Sequence, residues 1–254
     1  GIPSEKRAKK IVNRHLLNPA EFWGEYVLPT INKNHPDYKA PYTYWRGTIW
    51  PPTNYLVYEG LKKYGFDKVG AELAQKSTEL WLKPWQQRNW AMENYNPETG
   101  LRSEMAHIHQ GWSMNLPLTG LQELIDVECW QSDIRALRFG SLGLKGSNQL
   151  ENILIHDHKY SLEAGPLATI LYRDGKEIFS AYGSRLVVRD FIFGPDEISF
   201  KVKTERTIKV VVKTADEKKK SIFLKAGINK VKLINGELKL ISRKKSIVNF
   251  KGGL

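Results

Sequence analysis

The pattern of apolar and polar positions changes period partway along this 254-residue chain. Up to about residue 130 the apolar residues recur at helical spacing, interrupted by long irregular stretches. Ser4 to Leu17 reads as a helix, with Ser4 as its cap and Ile11, Val12, His15 and Leu16 on one side. Asn18-Pro19 restarts the chain, with Pro19 predicted at a first helical position. Pro29 to Pro41 reads as a loop rich in Asn, Pro and Asp. Tyr55, Leu56, Tyr58 and Leu61 mark a helix over Pro52–Tyr64, closed by Gly65 as a left-handed cap. Asp67 is expected to cap the next helix, which carries Val69, Leu73 and Leu80 inward and stops at Pro84. Trp85 to Glu104 is irregular and aromatic, and Gly111 to Val127 is helical again.

After Ser132 the period falls to two, as in Ile153/Ile155 and Tyr160/Leu162. Asp174-Gly175 and Asn235-Gly236 are hairpin signals between alternating runs. Leu186–Phe193 reads as a strand ended by Gly194-Pro195, and five more short strands follow. Short antiparallel strands at this spacing predict a β-sandwich.

Charge and aromatic content divide the chain at the same place. Residues 1–130 carry 15 Lys/Arg against 14 Asp/Glu, whereas 131–254 carry 24 against 13. All eight tryptophans lie in the first part. The expectation is two domains, 1–130 and 131–254, with a boundary near 130–135. The net charge of +12 therefore belongs almost entirely to the second domain. Its lysines alternate with apolar residues, as in Lys209-Val210 and Lys230-Val231-Lys232-Leu233, which places them on the solvent face of strands. No aromatic residues interleave with them, so a single-stranded nucleic acid partner is not expected. No run of 18 apolar residues spans a membrane, and the first residues lack the apolar core of a signal peptide. Cys129 is the single cysteine, so no internal disulfide forms and redox usage does not separate a periplasmic or extracellular location from a cytoplasmic one.

Three pieces of the first domain combine indole rings, a few polar side chains and Gly or Pro turns. They are Tyr44-Trp45-Arg46-Gly47-Thr48-Ile49-Trp50-Pro51-Pro52-Thr53-Asn54-Tyr55, Met92-Glu93-Asn94-Tyr95-Asn96-Pro97-Glu98-Thr99-Gly100, and His107-Ile108-His109-Gln110-Gly111-Trp112-Ser113. A sugar cleft needs this mixture: flat apolar faces for pyranose C–H surfaces, donors and acceptors for hydroxyls, and a carboxylate near the anomeric carbon. Trp45, Trp50 and Trp112 are candidate sugar platforms or core residues. Arg46 is a candidate for binding hydroxyls or orienting a carboxylate, or for a structural ion pair. Asn54, one helical turn from Trp50, either hydrogen-bonds sugar or caps a helix. His107 and His109 alternate, so one of them is expected to face the cleft, and His109 is taken as that residue. Glu104 is a second-choice catalytic carboxylate. His-x-His without a nearby carboxylate or cysteine set does not make a metal site, and no cofactor is expected.

These three segments, in this order and with Tyr64-Gly65 following the first, resemble the signature of the glucosidase and mannosylglycerate-hydrolase group of inverting glycosidases, relatives of the trehalases. The resemblance covers roughly residues 4–128 and implies an α+β chain: the C-terminal portion of an (α/α)6 barrel followed by an antiparallel β-sandwich. It implies hydrolysis of α-linked glucosides, mannosides or short oligosaccharides, with Glu93 as the general base. The general acid of that group is an aspartate further upstream than the 92 residues that precede Glu93 here. Asp37 and Asp67 do not match its surroundings. A barrel of this kind holds about twelve helices, of which the sequence supplies about five. The chain is thus expected to be part of a longer enzyme, half of a split enzyme, or a degenerate descendant that only binds carbohydrate. A half-barrel exposes apolar helix faces, so a complementary N-terminal half or self-association is expected.

Overall fold

The computed structural model describes residues 2–38, 44–128 and 133–245. Cys129 and the first half of the domain boundary predicted at 130–135 lie outside the described residues, as does the end of the Pro29–Pro41 loop. The chain divides into two compact units, Gly1–Gln122 and Glu123–Leu254.

In the first unit, α1 (Glu5–Ile11) is capped by the Ser4 hydroxyl, which accepts from the Arg7 N–H at 3.4 Å. It runs into a single wide turn, Val12–Leu16. Pro19 does not start a helix. The N–H groups of Glu21, Phe22 and Trp23 all converge on the Asn18 carbonyl, and the Asn18 side chain bonds both Ala20 N–H and the Glu21 carboxylate. This asparagine-centred turn uses the donors that a helix would need. Helix α2 (Pro51–Lys63) has proline in its first turn, where the missing N–H costs nothing, and Gly65 follows it at φ +71°.

Helix α3 (Asp67–Arg88) departs from expectation at both ends. Phe66, not Asp67, occupies the cap position. Asp67 lies inside the helix and is buried against the Lys62 ammonium at 3.5 Å. Pro84 does not stop the helix. It is buried within it, and the turn around it is held by Trp81 stacked on Trp85, with ring centroids 4.9 Å apart. Here side-chain packing outweighs one lost backbone hydrogen bond. The stop comes at Asn89, whose left-handed backbone (φ 55°) turns its N–H onto the Trp85 carbonyl. A 3-10 turn at Gly111–Met114 leads into α4 (Asn115–Leu124), with Pro117 harmless in its first turn. The helix ends three residues before Val127, because Ile125 and Asp126 pair as a strand.

The core of this unit gathers Ile49, Leu80, Trp81, Met92, Tyr95 and Leu116, so the irregular segment around residue 93 is anchored between α3 and the start of α4. Met114, Leu118 and Leu121, spaced four and three residues apart, are exposed, as is Leu56 on α2. The described residues hold four α-helices.

The second unit is two six-stranded antiparallel sheets. One has the order β1 (Ile125–Asp126), β2 (Leu137–Phe139), β7 (Leu186–Phe193), β8 (Ile198–Thr204), β11 (Gly227–Ile234), β12 (Glu237–Lys244). The other has the order β10 (Lys219–Leu224), β9 (Ile208–Lys213), β6 (Lys176–Tyr182), β5 (Ala168–Arg173), β4 (His158–Ala164), β3 (Asn148–Ile155). Asp174-Gly175 and Asn235-Gly236 all have positive φ, as two-residue hairpin turns that match strand twist require. Inward residues of both sheets form one apolar cluster, in which Phe139, Phe191 and Phe200 surround Phe179 with ring centroids 5.1–5.8 Å away. Lys209 and Lys230 are exposed and flanked by buried residues, as the alternation predicted.

Candidate active site

Residues 91–95 cross the first unit as an extended segment bonded on both sides. Ala91 N–H donates to Ile108 O, Glu93 N–H to His107 O and Gln110 N–H to Ala91 O, each at 2.9 Å. Tyr95 and Ile49 exchange backbone hydrogen bonds of 3.0 and 2.8 Å. Three stretches distant in sequence are thereby fixed side by side.

Glu93 sits at their meeting point and is only 4% exposed. Its Oε2 accepts the His107 backbone N–H at 3.2 Å, and its Oε1 accepts the Tyr44 hydroxyl at 3.5 Å. Its backbone carbonyl accepts the Trp112 indole N–H at 3.3 Å. A carboxylate buried this far is held in one orientation by its donors rather than left to sample rotamers in water.

An aromatic wall stands beside it. Trp45 and Trp50 stack with centroids 3.7 Å apart and planes 13° from parallel. Tyr44 meets Trp50 edge-on at 4.8 Å, and Trp112 lies at 5.5 Å on a tilt. The turn carrying them is tied by the Trp50 indole N–H, which donates to Tyr44 O at 2.9 Å and Thr48 Oγ1 at 2.8 Å. The Thr48 hydroxyl also donates to Tyr44 O. Gly47 permits the turn at φ 121°, a conformation closed to residues with a Cβ.

The structure separates the predicted residues. Trp45 and Trp112 remain 45% and 39% exposed, so each can present a ring face. Trp50 is 0% exposed and is the pillar on which Trp45 stacks. Its assignment as a sugar platform is therefore corrected to a supporting one. Asn54 is also buried, and its amide is spent on the chain: Oδ1 accepts Leu28 N–H at 2.8 Å and Nδ2 donates to Val27 O at 2.5 Å. It neither caps a helix nor keeps a group for substrate. Arg46 and His109 are exposed at the rim, and His107 is exposed as well, contributing its backbone N–H to Glu93.

Asp67 is paired with Lys62, Asp37 lies at the surface 3.8 Å from His35, and Glu104 is exposed. Two residues not singled out from the sequence belong to the site. Tyr44, the first residue of its motif, donates to the carboxylate. Asn94, next to Glu93, is buried with Oδ1 bonded to the Ser103 hydroxyl, and among the described residues its Nδ2 has no partner. Among the described residues, no group of three or more His, Cys, Asp or Glu is arranged to hold a metal ion.

Tyr95 anchors the floor. Its hydroxyl meets Ser113 Oγ at 3.1 Å, and burial pushes its pKa up to about 12. A phenol whose folded pKa is raised contributes stability that is complete below the unfolded pKa of about 10 and is lost as pH rises through about 12. The expected result is that the first unit weakens between about pH 10 and pH 12. Tyr95→Phe should lower stability at pH 7 by about 1 kcal/mol, the worth of one buried hydrogen bond, and flatten that alkaline decline. Denaturant melts at pH 7, 10 and 11.5 check both parts.

Residues 1–113 match the family described as "Mannosylglycerate hydrolase MGH1-like glycoside hydrolase domain". A mannosylglycerate hydrolase of Thermus thermophilus is 35% identical over 103 residues, which are 39% of this chain and 22% of that protein. A mannosyl-oligosaccharide glucosidase of Saccharomyces cerevisiae is 25% identical over 125 residues, 44% of this chain and 15% of that protein. A solved structure of a GH63 mannosylglycerate hydrolase from Thermus thermophilus in complex with glucose is 29% identical over 47% of this chain and 28% of its own, with a TM-score of 0.36. The chain thus spans less than a third of the length of these relatives.

Proposed function

From the premise that residues 1–113 are a GH63-like glycosidase segment, we propose that this chain supplies the general-base side of an inverting glycoside hydrolase acting on α-linked glucosides, mannosides or short oligosaccharides. The observation that carries the reading is the buried Glu93 carboxylate, oriented by Tyr44 and His107 beside the Trp45 and Trp112 rings. Glu93 takes a proton from a water as that water attacks the anomeric carbon. Inversion places a carboxylic acid on the opposite face, about 6.5–9.5 Å away, to protonate the leaving oxygen. That acid comes from sequence outside this chain. Trp45 and Trp112 carry the sugar ring faces, with Arg46 and His109 at the rim for hydroxyls.

The rest of the reading follows from the same premise. The first domain is the C-terminal part of an (α/α)6 barrel. Its exposed Met114, Leu118 and Leu121 stripe is covered by the complementary barrel portion, in keeping with the small share of each relative that the chain spans. The second domain, two sheets on one core, is a β-sandwich accessory domain. The rival reading is a degenerate, carbohydrate-binding protein that uses the same cleft without turnover.

Hydrolysis with the anomer followed separates the two. The protein isolated from its native source, with whatever chain completes the barrel, is incubated with mannosylglycerate and with α-linked disaccharides. Proton NMR should show the β-anomer of the released sugar first. Initial release of the α-anomer removes the inverting assignment, and binding without turnover leaves the degenerate reading.

A further inference from the structure

The register of the first sheet of the second unit sets lysine against lysine. Lys201 on β8 pairs directly with Lys230 on β11. Lys232 on β11 pairs directly with Lys239 on β12. Lys203 and Lys244 flank Ile228 in the next row, from β8 and β12. Directly opposed residues of an antiparallel pair point to the same face, and residues two apart along a strand do so too. Phe200, Val202 and Val231 take the inner face, so all six lysines lie on the outer one.

Like charges opposed across strands destabilise a sheet. Acids relieve this in part: Asp190 meets Lys201 at 2.5 Å, Glu197 meets Lys232 at 3.5 Å, and Glu237 shares the outward face opposite Ile234. Among the described residues, Lys230, Lys239 and Lys244 have no carboxylate within ion-pair reach. The backbones of directly opposed lysines lie about 4.8 Å apart across strands, and those of lysines two apart on one strand about 6.7 Å along it. A sheet needs far less than this to stay soluble. The ordinary device is single lysines on edge strands, whereas here the cluster extends onto β8 and β11, which have neighbours on both sides.

We propose that the outward face of β8, β11 and β12 binds a linear acidic polysaccharide. The lysines are spread over three adjacent strands, so the face suits a flexible chain with closely spaced anionic groups. It carries no aromatic ring on which bases could stack, and no element that enters a duplex groove. The only apolar residues among its outward positions are isoleucines such as Ile228 and Ile234, too few for insertion into a bilayer. This inference goes beyond the glycosidase reading and does not involve Glu93.

The test uses the full chain and immobilised heparin as the sulfated polysaccharide probe. Because any basic protein is retained to some degree, two double variants of equal net charge are compared. One is Lys230→Gln/Lys239→Gln. The other is Lys209→Gln/Lys219→Gln, which removes two exposed lysines from the other sheet. The first should reduce the slope of log binding against log salt by about 2, and the second should leave it close to the parent. Thermal melts confirm that both variants fold. Equal losses in the two variants, or no salt-dependent retention of the parent, overturn the proposal. So does tighter binding to duplex DNA or phosphatidylserine vesicles than to heparin at matched anionic charge.

Discussion

On the proposed base role, Glu93→Gln should lower kcat by about 10²–10⁴-fold in the completed enzyme while leaving sugar affinity within a few-fold of the parent. The substitution keeps the volume of the side chain and an oxygen able to accept the His107 N–H at its 3.2 Å position. It deletes the carboxylate that the proposed base role needs. The buried setting makes this a clean experiment, because the segment is fixed by its own backbone bonds to residues 107–110 and to Ile49 rather than by the charge. Glu104→Gln is the internal control. That side chain is exposed, and its loss should change kcat little. Single-turnover hydrolysis of an α-linked substrate, with binding followed separately by calorimetry, reads both quantities. Full activity in the Glu93 variant would sink the assignment, and a large loss in the Glu104 variant would move the base to that residue.

Much of this fold was legible from the chain alone, for identifiable reasons. The β strands were found because their signal is local: period-two alternation and Asp-Gly or Asn-Gly turns are decided within a few residues. Leu186–Phe193 is bounded as expected because Gly194-Pro195 punctuates it. What failed depended on contacts remote in sequence or on competition between local bonds. Pro84 reads as a stop, but Trp81 and Trp85 hold the helix through it. Asp67 reads as a cap, but a buried Lys62 draws it into the helix. Pro19 reads as a helix start, but Asn18 gathers the donors first.

The site divides along the same line. Glu93 stood out because its motif resembles one with a named chemistry; the structure adds its burial and its Tyr44 and His107 donors. Tyr44 could have been found as the first residue of the same motif. Asn54 could not have been sorted from a sugar ligand, because its partners are the backbone groups of residues 27 and 28, whose proximity only the fold creates. Tryptophan content does not say which ring is enclosed and which keeps an exposed face.

That last distinction gives a prediction of comparable size in stability. Trp50→Ala should destabilise the first unit by about 3–5 kcal/mol, the usual cost of emptying a buried aromatic site. Trp50 is fully enclosed, supports Trp45 at 3.7 Å, and its indole N–H closes the 44–50 turn on Tyr44 O and Thr48 Oγ1. Its loss leaves a cavity and Thr48 Oγ1 without its donor, leaves Tyr44 O with the Thr48 hydroxyl alone, and frees the turn that aims Tyr44 at Glu93. Trp112→Ala should behave in the opposite way. Trp112 is 39% exposed and gives one hydrogen bond of 3.3 Å, so stability should fall by about 1 kcal/mol or less. Sugar affinity should fall by about tenfold, the loss of one stacking face. Denaturant midpoints and sugar titrations on both variants give a two-by-two outcome. If Trp112→Ala unfolds the unit as readily as Trp50→Ala, Trp112 is core and the cleft is not where Glu93 lies. If Trp50→Ala keeps its stability but loses sugar, the pillar is itself a platform, and the turn must open to expose it.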